Sequence, residues 1–412
     1  MSFTLFTGIG RLCQIERLYA APLRGAALRE LPALADAWLL VEGERISRYG
    51  RMADGLPPAD HTVDLKGGWV FPAWVDSHTH LVFAASRESE FVDRINGLTY
   101  LEIAQRGGGI LNSARRLQAA SEDELFESAR QRLAEVQRLG VGAIEIKSGY
   151  GLSVEAELKM LRVIRRLRDS SAVDIRATLL GAHALPAEFR ERREDFVRIV
   201  VEEMIPAAAE AGLADYVDVF CEQNFFTLEE TIQIIEAGAR YGLRAKVHVN
   251  QFNSLGAIPA CVARGALSVD HLEVAAEADI AALAGAATIA TLLPSAPFFL
   301  NDHYPPARQL IDAGVAVALA TDYNPGSSPS GNMALVVSLA CIKCRMLPEE
   351  ALNAATLNAA AALEWADDYG SLDPGKYASF FVTPPLPSPA YIPYAFGSNL
   401  VREVYTKGEK IT

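Results

Sequence analysis

At 412 residues, half of them hydrophobic and 22% charged, the chain has material for a sizeable core, either two or three domains or one large barrel with an appendage. Its net charge of −13 argues against a nucleic-acid partner, because neutralising phosphates takes clustered Lys and Arg. Arg190, Arg192 and Arg193 alternate with Glu188, Glu191 and Glu194, the pattern of a solvated helix face, and no run of eighteen apolar residues is present to span a membrane.

The stretch from Met1 to Leu23 lacks a charged start, an apolar core and a small-residue cleavage site, so no secretory leader is expected. The five cysteines (Cys13, Cys221, Cys261, Cys341, Cys344) are scattered and odd in number, which suits a reducing cytoplasm. Cys341 and Cys344 form one Cys-x-x-Cys without a second pair. They fall in a helical stretch, 333–345, where buried helix positions account for them.

In chain order, residues 1–66 read as short strands and turns of a small β domain, with 38–41 and 45–49 flanking Glu42-Gly43-Glu44 as a hairpin. An apolar run, 69–75, reads as a buried strand. Seven further strands follow, at 142–146, 175–180, 216–220, 245–249, 267–270, 287–292 and 315–320. Helical patterns such as 122–139, 154–168 and 228–241 lie between them. Eight buried strands with helical crossovers predict a (β/α)8 TIM-type barrel over 67–376, with its site at the C-terminal strand ends. The long gap after the first strand holds Arg87, Tyr100 and Gly107-Gly108-Gly109, and is expected to be a loop over the mouth. Strand texture returns over 377–412. The two termini are therefore expected to form one small discontinuous β-sandwich domain.

Seven histidines occur, and five of them, His78, His80, His183, His248 and His271, fall at or just past predicted strand ends, with Asp322 after the eighth strand. Buried polar groups so concentrated need a purpose. His61 and His303 sit in expected loops and read as bystanders. His78 and His80 lie two apart at a strand end and therefore share one side. With His248 and Asp322 they make three imidazoles and a carboxylate, a set that suits one divalent transition metal per chain, Zn or Fe. Such an ion lowers the pKa of bound water toward about 7. Asp322 is placed to accept that proton, and His271 to polarise the substrate oxygen or shuttle the proton.

Segments spread over nearly the whole chain carry a resemblance: His78-Thr79-His80 with Ser86-Arg87-Glu88, Lys147-Ser148-Gly149-Tyr150-Gly151, Gly181-Ala182-His183, His248-Val249-Asn250-Gln251 and Asp322-Tyr323-Asn324-Pro325-Gly326-Ser327. Together they resemble the amidohydrolase superfamily, and within it the hydrolases that open imidazolone rings. The resemblance implies hydrolytic opening of 4-imidazolone-5-propanoate to N-formimidoyl-L-glutamate in histidine degradation. It puts the metal on His78, His80, His248 and Asp322, substrate contacts on Arg87, Tyr150, His183 and Gln251, and product contacts on Asn324, Gly326 and Ser327. Arg87 suits a propionate, since a guanidinium binds a carboxylate through two parallel bonds. The Asn324–Ser327 turn can offer backbone N–H groups to an anion. Two positions depart from the pattern. Ala73 stands where Gly is usual, so the backbone there must avoid positive φ. Gln251 replaces a Glu found in some members; it joins His271 and Asp322 in the catalytic set, but Gln accepts protons poorly, so a base role passes to those two.

The expected partner is therefore a small anionic substrate, with no nucleic acid and no membrane; a homodimer is compatible with the sequence, which does not set the oligomeric state. A nucleobase deaminase or another cyclic-amide hydrolase of the superfamily is the nearest rival, but neutral bases need no carboxylate anchor such as Arg87 with Tyr150. A catalytically dead binding barrel would show missing ligands, and none is missing.

Overall fold

The computed structural model describes every residue except 1, 16–20, 99–101, 103–105 and 107, so Tyr100 and Gly107 lie outside the described residues. Near the N-terminus run β1 (Phe3–Cys13), β2 (Ala33–Glu42), β3 (Arg45–Arg51), β4 (His61–Asp64) and β5 (Trp69–Pro72). The expected hairpin is β2–β3, paired antiparallel and turned at Gly43, whose φ of +59° suits a residue without Cβ. His61, expected in a loop, begins β4.

The barrel strands are β6 (Trp74–Asp76), β7 (Val141–Lys147), β8 (Asp174–Ala182), β9 (Tyr216–Cys221), β10 (Arg244–Val249), β11 (Ser268–His271), β12 (Ile289–Leu292) and β13 (Val317–Leu319). They pair in chain order and all in parallel. Loop residues close the ring: His80 N donates to Tyr323 O at 2.9 Å and Asp322 N to His78 O at 3.0 Å. Below them the Asp76 carboxylate accepts from Thr321 N at 3.0 Å and Thr321 Oγ1 at 2.6 Å. Burial pushes Asp76 up to about 7, and the Thr321 bonds pull against that.

Flanking helices cover the barrel because their apolar residues recur every three or four positions. Glu122–Arg138 starts on a Ser121–Glu124 capping box and buries Leu125, Ala129, Leu133 and Val136. Each such leucine contributes about 1.5–3 kcal/mol by leaving water. The arginine-rich run is not one helix face: it is a short 3₁₀ turn, Ala187–Phe189, followed by a helix that begins only at Arg193. No helix among the described residues is long and apolar enough to cross a membrane.

The C-terminal β14 (Phe380–Thr383), β15 (Glu403–Thr406) and β16 (Glu409–Lys410) join the N-terminal strands in a second, mixed sheet of order β16-β15-β14-β5-β1-β2-β3, with β4 on β1. The apolar run of 69–75 is thus two strands rather than one. Its first part pairs with β14 and β1, its last with barrel strand β7, and Ala73 between them donates its N–H to Ser379 O at 3.0 Å. Periodicity could not show this break, because both halves are buried. Ala73 avoids positive φ, and room for its methyl comes from Gly142, where a Cβ would stand 2.6 Å from Ala73 Cβ. The sheet curls over its own core: Phe6 of β1 meets Phe380 and Tyr405 at centroid distances of 5.2 and 5.0 Å, although β15 lies three strands away. Neighbouring strands sit about 4.8 Å apart, so a flat sheet would hold β1 and β15 well beyond contact.

Candidate metal centre and active site

All five strand-end histidines and Asp322 meet at the C-terminal mouth of the barrel. His78 and His80 follow β6, His183 follows β8, His248 lies in β10, His271 ends β11 and Asp322 follows β13. Backbone there is twisted out of the usual regions, with φ of +53° at Asn250, +88° at His271, +67° at Leu272 and +55° at Asp322. Such left-handed conformations cost energy in non-glycine residues and persist where surrounding structure enforces them.

Four side chains converge tightly. His78 Nε2 is 3.1 Å from His248 Nε2, which is 3.3 Å from His80 Nε2. Asp322 Oδ1 stands 3.6 Å from Nε2 of both His78 and His80. Bonds of about 2.1 Å to a tetrahedral ion would space its ligands roughly 3.4 Å apart, so the set fits one small ion. The chemistry of the donors points the same way. His78 Nδ1 meets Asp270 Oδ2 at 2.7 Å, and His248 Nδ1 lies 2.8 Å from Asp218 Oδ2. Each Nδ1 therefore carries the proton and each Nε2 presents a lone pair. Lone pairs 3.1 Å apart in a dry pocket repel one another unless a cation lies among them. Burial, reinforced by neighbouring imidazoles and Lys147, holds His78, His80 and His248 well below the ordinary histidine value, which leaves them neutral and able to ligate an ion. His271 also comes within reach: its ring nitrogen, His78 and His248 form a second group within 4.8 Å of one another.

Asp322 and His271 are shifted differently. Burial pushes Asp322 up to about 6. Burial alone would lower His271, but the Glu273 carboxylate, 3.3 Å from its Nδ1, outweighs that and leaves it raised. Beneath the imidazoles lies a fully buried ionic layer in which Lys147 Nζ reaches Glu145 at 2.8 Å and Asp218 at 3.0 Å. Burial alone would lower Lys147; the two carboxylates more than offset it and leave its pKa raised. Lys147 ends the second barrel strand, as expected.

The Lys-Ser-Gly-Tyr-Gly segment is a turn built to present Tyr150. The Glu157 carboxylate accepts from the N–H groups of Gly149, Gly151 and Leu152 at 2.7–2.8 Å. A Cβ at Gly149, where φ is +110°, would stand 2.9 Å from His183 Nδ1, and one at Gly151 2.4 Å from Glu157 N. Tyr150 then lies 5.9 Å from His80 and 5.4 Å from His183, ring centre to ring centre, and burial holds its hydroxyl protonated. His183 Nδ1 meets Gly149 O at 2.9 Å, and burial lowers His183 to about 4. Arg87 Nε donates to Ser113 Oγ at 2.9 Å, while its Nη2 is buried without a partner among the described residues. Nη1 passes so near the 324–327 turn that a Cβ on Gly326 would stand 2.5 Å from it. That turn differs from expectation. Asn324 Oδ1 already accepts from Gly326 N at 2.7 Å and Ser327 N at 2.8 Å, so those N–H groups are spent inside the turn and do not face an anion. Ser327 Oγ points instead to Asp322 Oδ2 at 3.2 Å.

The sequence profile of the amidohydrolase family matches residues 69–410. The chain belongs to the amidohydrolase family. Among curated amidohydrolase relatives, the imidazolonepropionase of Flavobacterium johnsoniae is 51% identical over 99% of this chain and 100% of its own. That of Christiangramia forsetii is 49% identical over 99% of both chains, and that of Pseudomonas putida 45% over 92% and 95%. Solved structures share the fold at lower identity. An adenosine deaminase from Xanthomonas campestris with bound zinc is 17% identical with a TM-score of 0.70, covering 99% of this chain and 92% of that one. The atrazine chlorohydrolase TrzN from Arthrobacter aurescens complexed with zinc is 16% identical with a TM-score of 0.71, covering 99% and 94%. This amidohydrolase thus has the family's barrel and a His/Asp cluster able to hold one divalent metal ion.

Sequence reading missed the carboxylates behind the site histidines, namely Asp218 beside His248, Asp270 beside His78 and Glu273 beside His271, with Glu145 in the buried layer around Lys147. A signal existed. Asp218 stands between Val217 and Val219 and Asp270 between Val269 and His271, each a charge inside a wholly buried strand. Charges are rarely buried without a dedicated partner.

Proposed function

We propose that the chain opens the ring of 4-imidazolone-5-propanoate to N-formimidoyl-L-glutamate, as an imidazolonepropionase of histidine degradation. The observation that carries this reading is Arg87: a half-buried guanidinium whose Nη2 is buried and has no partner among the described residues, at the mouth of a metal-competent barrel, calls for a carboxylate, which this substrate's propionate supplies. Near-full-length identity of about half to imidazolonepropionases supports it. A neutral nucleobase would leave Nη2 without a carboxylate, since Glu90 lies on the Nε side of the guanidinium at 3.9 Å, which disfavours a deaminase.

His78, His80, His248 and Asp322 would hold the ion, Zn or Fe. When bound, it supplies Lewis-acid chemistry that brings water near a pKa of about 7. Asp322 accepts the water proton, and the water oxygen bonds to the ring carbonyl carbon. His271, whose Nδ1 faces the Glu273 carboxylate at 3.3 Å, donates to the carbonyl oxygen and then delivers a proton to the ring nitrogen as the C–N bond breaks. His271 is left outside the ligand set because a fifth protein ligand would fill the position an open catalytic site needs. Tyr150, His183 and Gln251 contact the ring and Arg87 the propionate, while Asn324, Gly326 and Ser327 contact product, which requires the turn to release its internal bonds. Five unbridged cysteines support a cytoplasmic setting. Purified, metal-analysed protein should consume imidazolone-propanoate absorbance, and an analogue lacking the propionate should be a poor substrate. Loaded protein that turns over neither, or both equally, would refute the proposal.

A further inference from the structure

Gln251 sits on an irregular loop, 250–256, that has neither helix nor strand and is bracketed by φ of +53° at Asn250 and +72° at Gly256. Something must fix it, since Gln251 is buried at the mouth and a loose loop would not hold a side chain against a substrate. At the far end Leu255 packs against the core on one side and borders a cleft of about 520 Å³, walled by Glu222, Gln223, Asn224 and Phe225, on the other, so packing there is one-sided. The bonds come from Glu222, which directly follows β9. Its Oε2 accepts from Phe252 N at 2.9 Å and Asn253 N at 3.1 Å, and its Oε1 from Gln223 N at 2.8 Å. A carboxylate 2% exposed thus spends itself on three backbone N–H groups, two of them in the residues just after Gln251. On the near side Asn250 Nδ2 donates to Asp279 Oδ2 at 2.9 Å, and Asn250 O accepts from Val274 N at 3.0 Å.

We infer that Glu222 is a positioning residue for the reaction: it clamps the loop from the neighbouring strand and so sets where the Gln251 carboxamide meets the substrate. The inference rests on the substrate reading above. Glutamine at 222 keeps the shape but has one acceptor oxygen where the three N–H groups use two, so it must drop at least one bond.

The test uses the metal-loaded protein as E222Q, Q251A and the double variant, with imidazolone-propanoate as substrate. E222Q should lose roughly tenfold to a hundredfold in kcat/KM, mostly through KM, with metal content unchanged. In the Q251A background the same change should have almost no further effect, because the residue being positioned is gone. Amide hydrogen exchange at Phe252 and Asn253 should quicken in E222Q. E222D, which keeps the charge and shortens its reach, should show the same pattern at smaller size and serves if E222Q fails to fold. Equal losses with and without Gln251, or unchanged exchange at Phe252 and Asn253, would overturn the inference. Failure of the substrate reading is distinct: wild type would then not turn over the imidazolone, and amide exchange would still decide whether Glu222 holds the loop.

Discussion

Replacing Asp270 with Asn isolates what a buried carboxylate does for a metal-binding imidazole. Asp270 Oδ2 lies 2.7 Å from His78 Nδ1, its Oδ1 accepts from Ser268 Oγ at 2.6 Å, and His78 and Asp270 are both fully buried. Asparagine has the same shape and can turn its oxygen to His78 while its NH₂ faces the Ser268 hydroxyl, which then accepts. The hydrogen bond survives and the negative charge does not. Removing such a partner typically weakens metal binding 10- to 100-fold, or about 1.4–2.7 kcal/mol at 1.36 kcal/mol per decade. The upper half of that range is expected here, because a fully buried pair lies in a low-dielectric interior that does little to screen the loss of charge. Competition with a chromophoric chelator, run on wild type and Asp270→Asn, measures it directly. An affinity within about twofold of wild type would show that the charge of Asp270 does not raise the basicity of His78, and the argument for paired carboxylates behind the ligands would fail.

Three further outcomes follow from the site. Arg87→Ala should lose about 2–4 kcal/mol of transition-state binding, read as kcat/KM, and should no longer distinguish the natural substrate from one lacking propionate. Wild-type kcat/KM would make Arg87 structural. His248→Ala should lose metal and activity together, whereas His271→Ala should keep its metal while kcat falls about 10²–10⁴-fold; metal analysis of both variants decides, and an empty His271→Ala would make His271 a ligand. Asp322 is raised from 3.8 to about 6 in the metal-free protein, so its buried proton stabilises that fold at low pH and the benefit is lost as pH rises through about 6. Metal binding must release this one proton, while the three imidazoles, held neutral, release none. Affinity should therefore weaken about fivefold from about pH 6 to about pH 5, approach tenfold per unit below that and level off above about pH 7, and a flat profile or a three-proton slope would contradict the assignment.

The barrel was legible because each of its strands is an apolar run with chemistry at one end, and the site because histidines recur at those ends. The break at Ala73 was not legible, since Trp69–Pro72 and Trp74–Asp76 are both buried and differ only in which sheet they join. Partners of the ligands were half legible: Asp218 and Asp270 stand out as charges in buried strands, but only the barrel's register sets them beneath His248 and His78. The closed turn at 324–327 could not be foreseen, because whether Asn324 faces its own backbone or a ligand depends on a side-chain rotation. Glu222 lies in a segment, Asp218–Glu222, that shares in the family resemblance, but its clamping role was not legible, as two of its three partners are backbone groups about thirty residues away.

The central claim is that one ion, held by His78, His80, His248 and Asp322, makes this barrel an imidazolone hydrolase. Lys147 Nζ is held by Glu145 and Asp218 at 2.8 and 3.0 Å, so its amine is engaged in that ion pair. The most direct measurement titrates Zn²⁺ or Fe²⁺ into metal-stripped protein while following ring opening of imidazolone-propanoate. Activity should rise in a straight line and break at one equivalent per chain. A break at two equivalents, or full metal occupancy without ring opening, would contradict it.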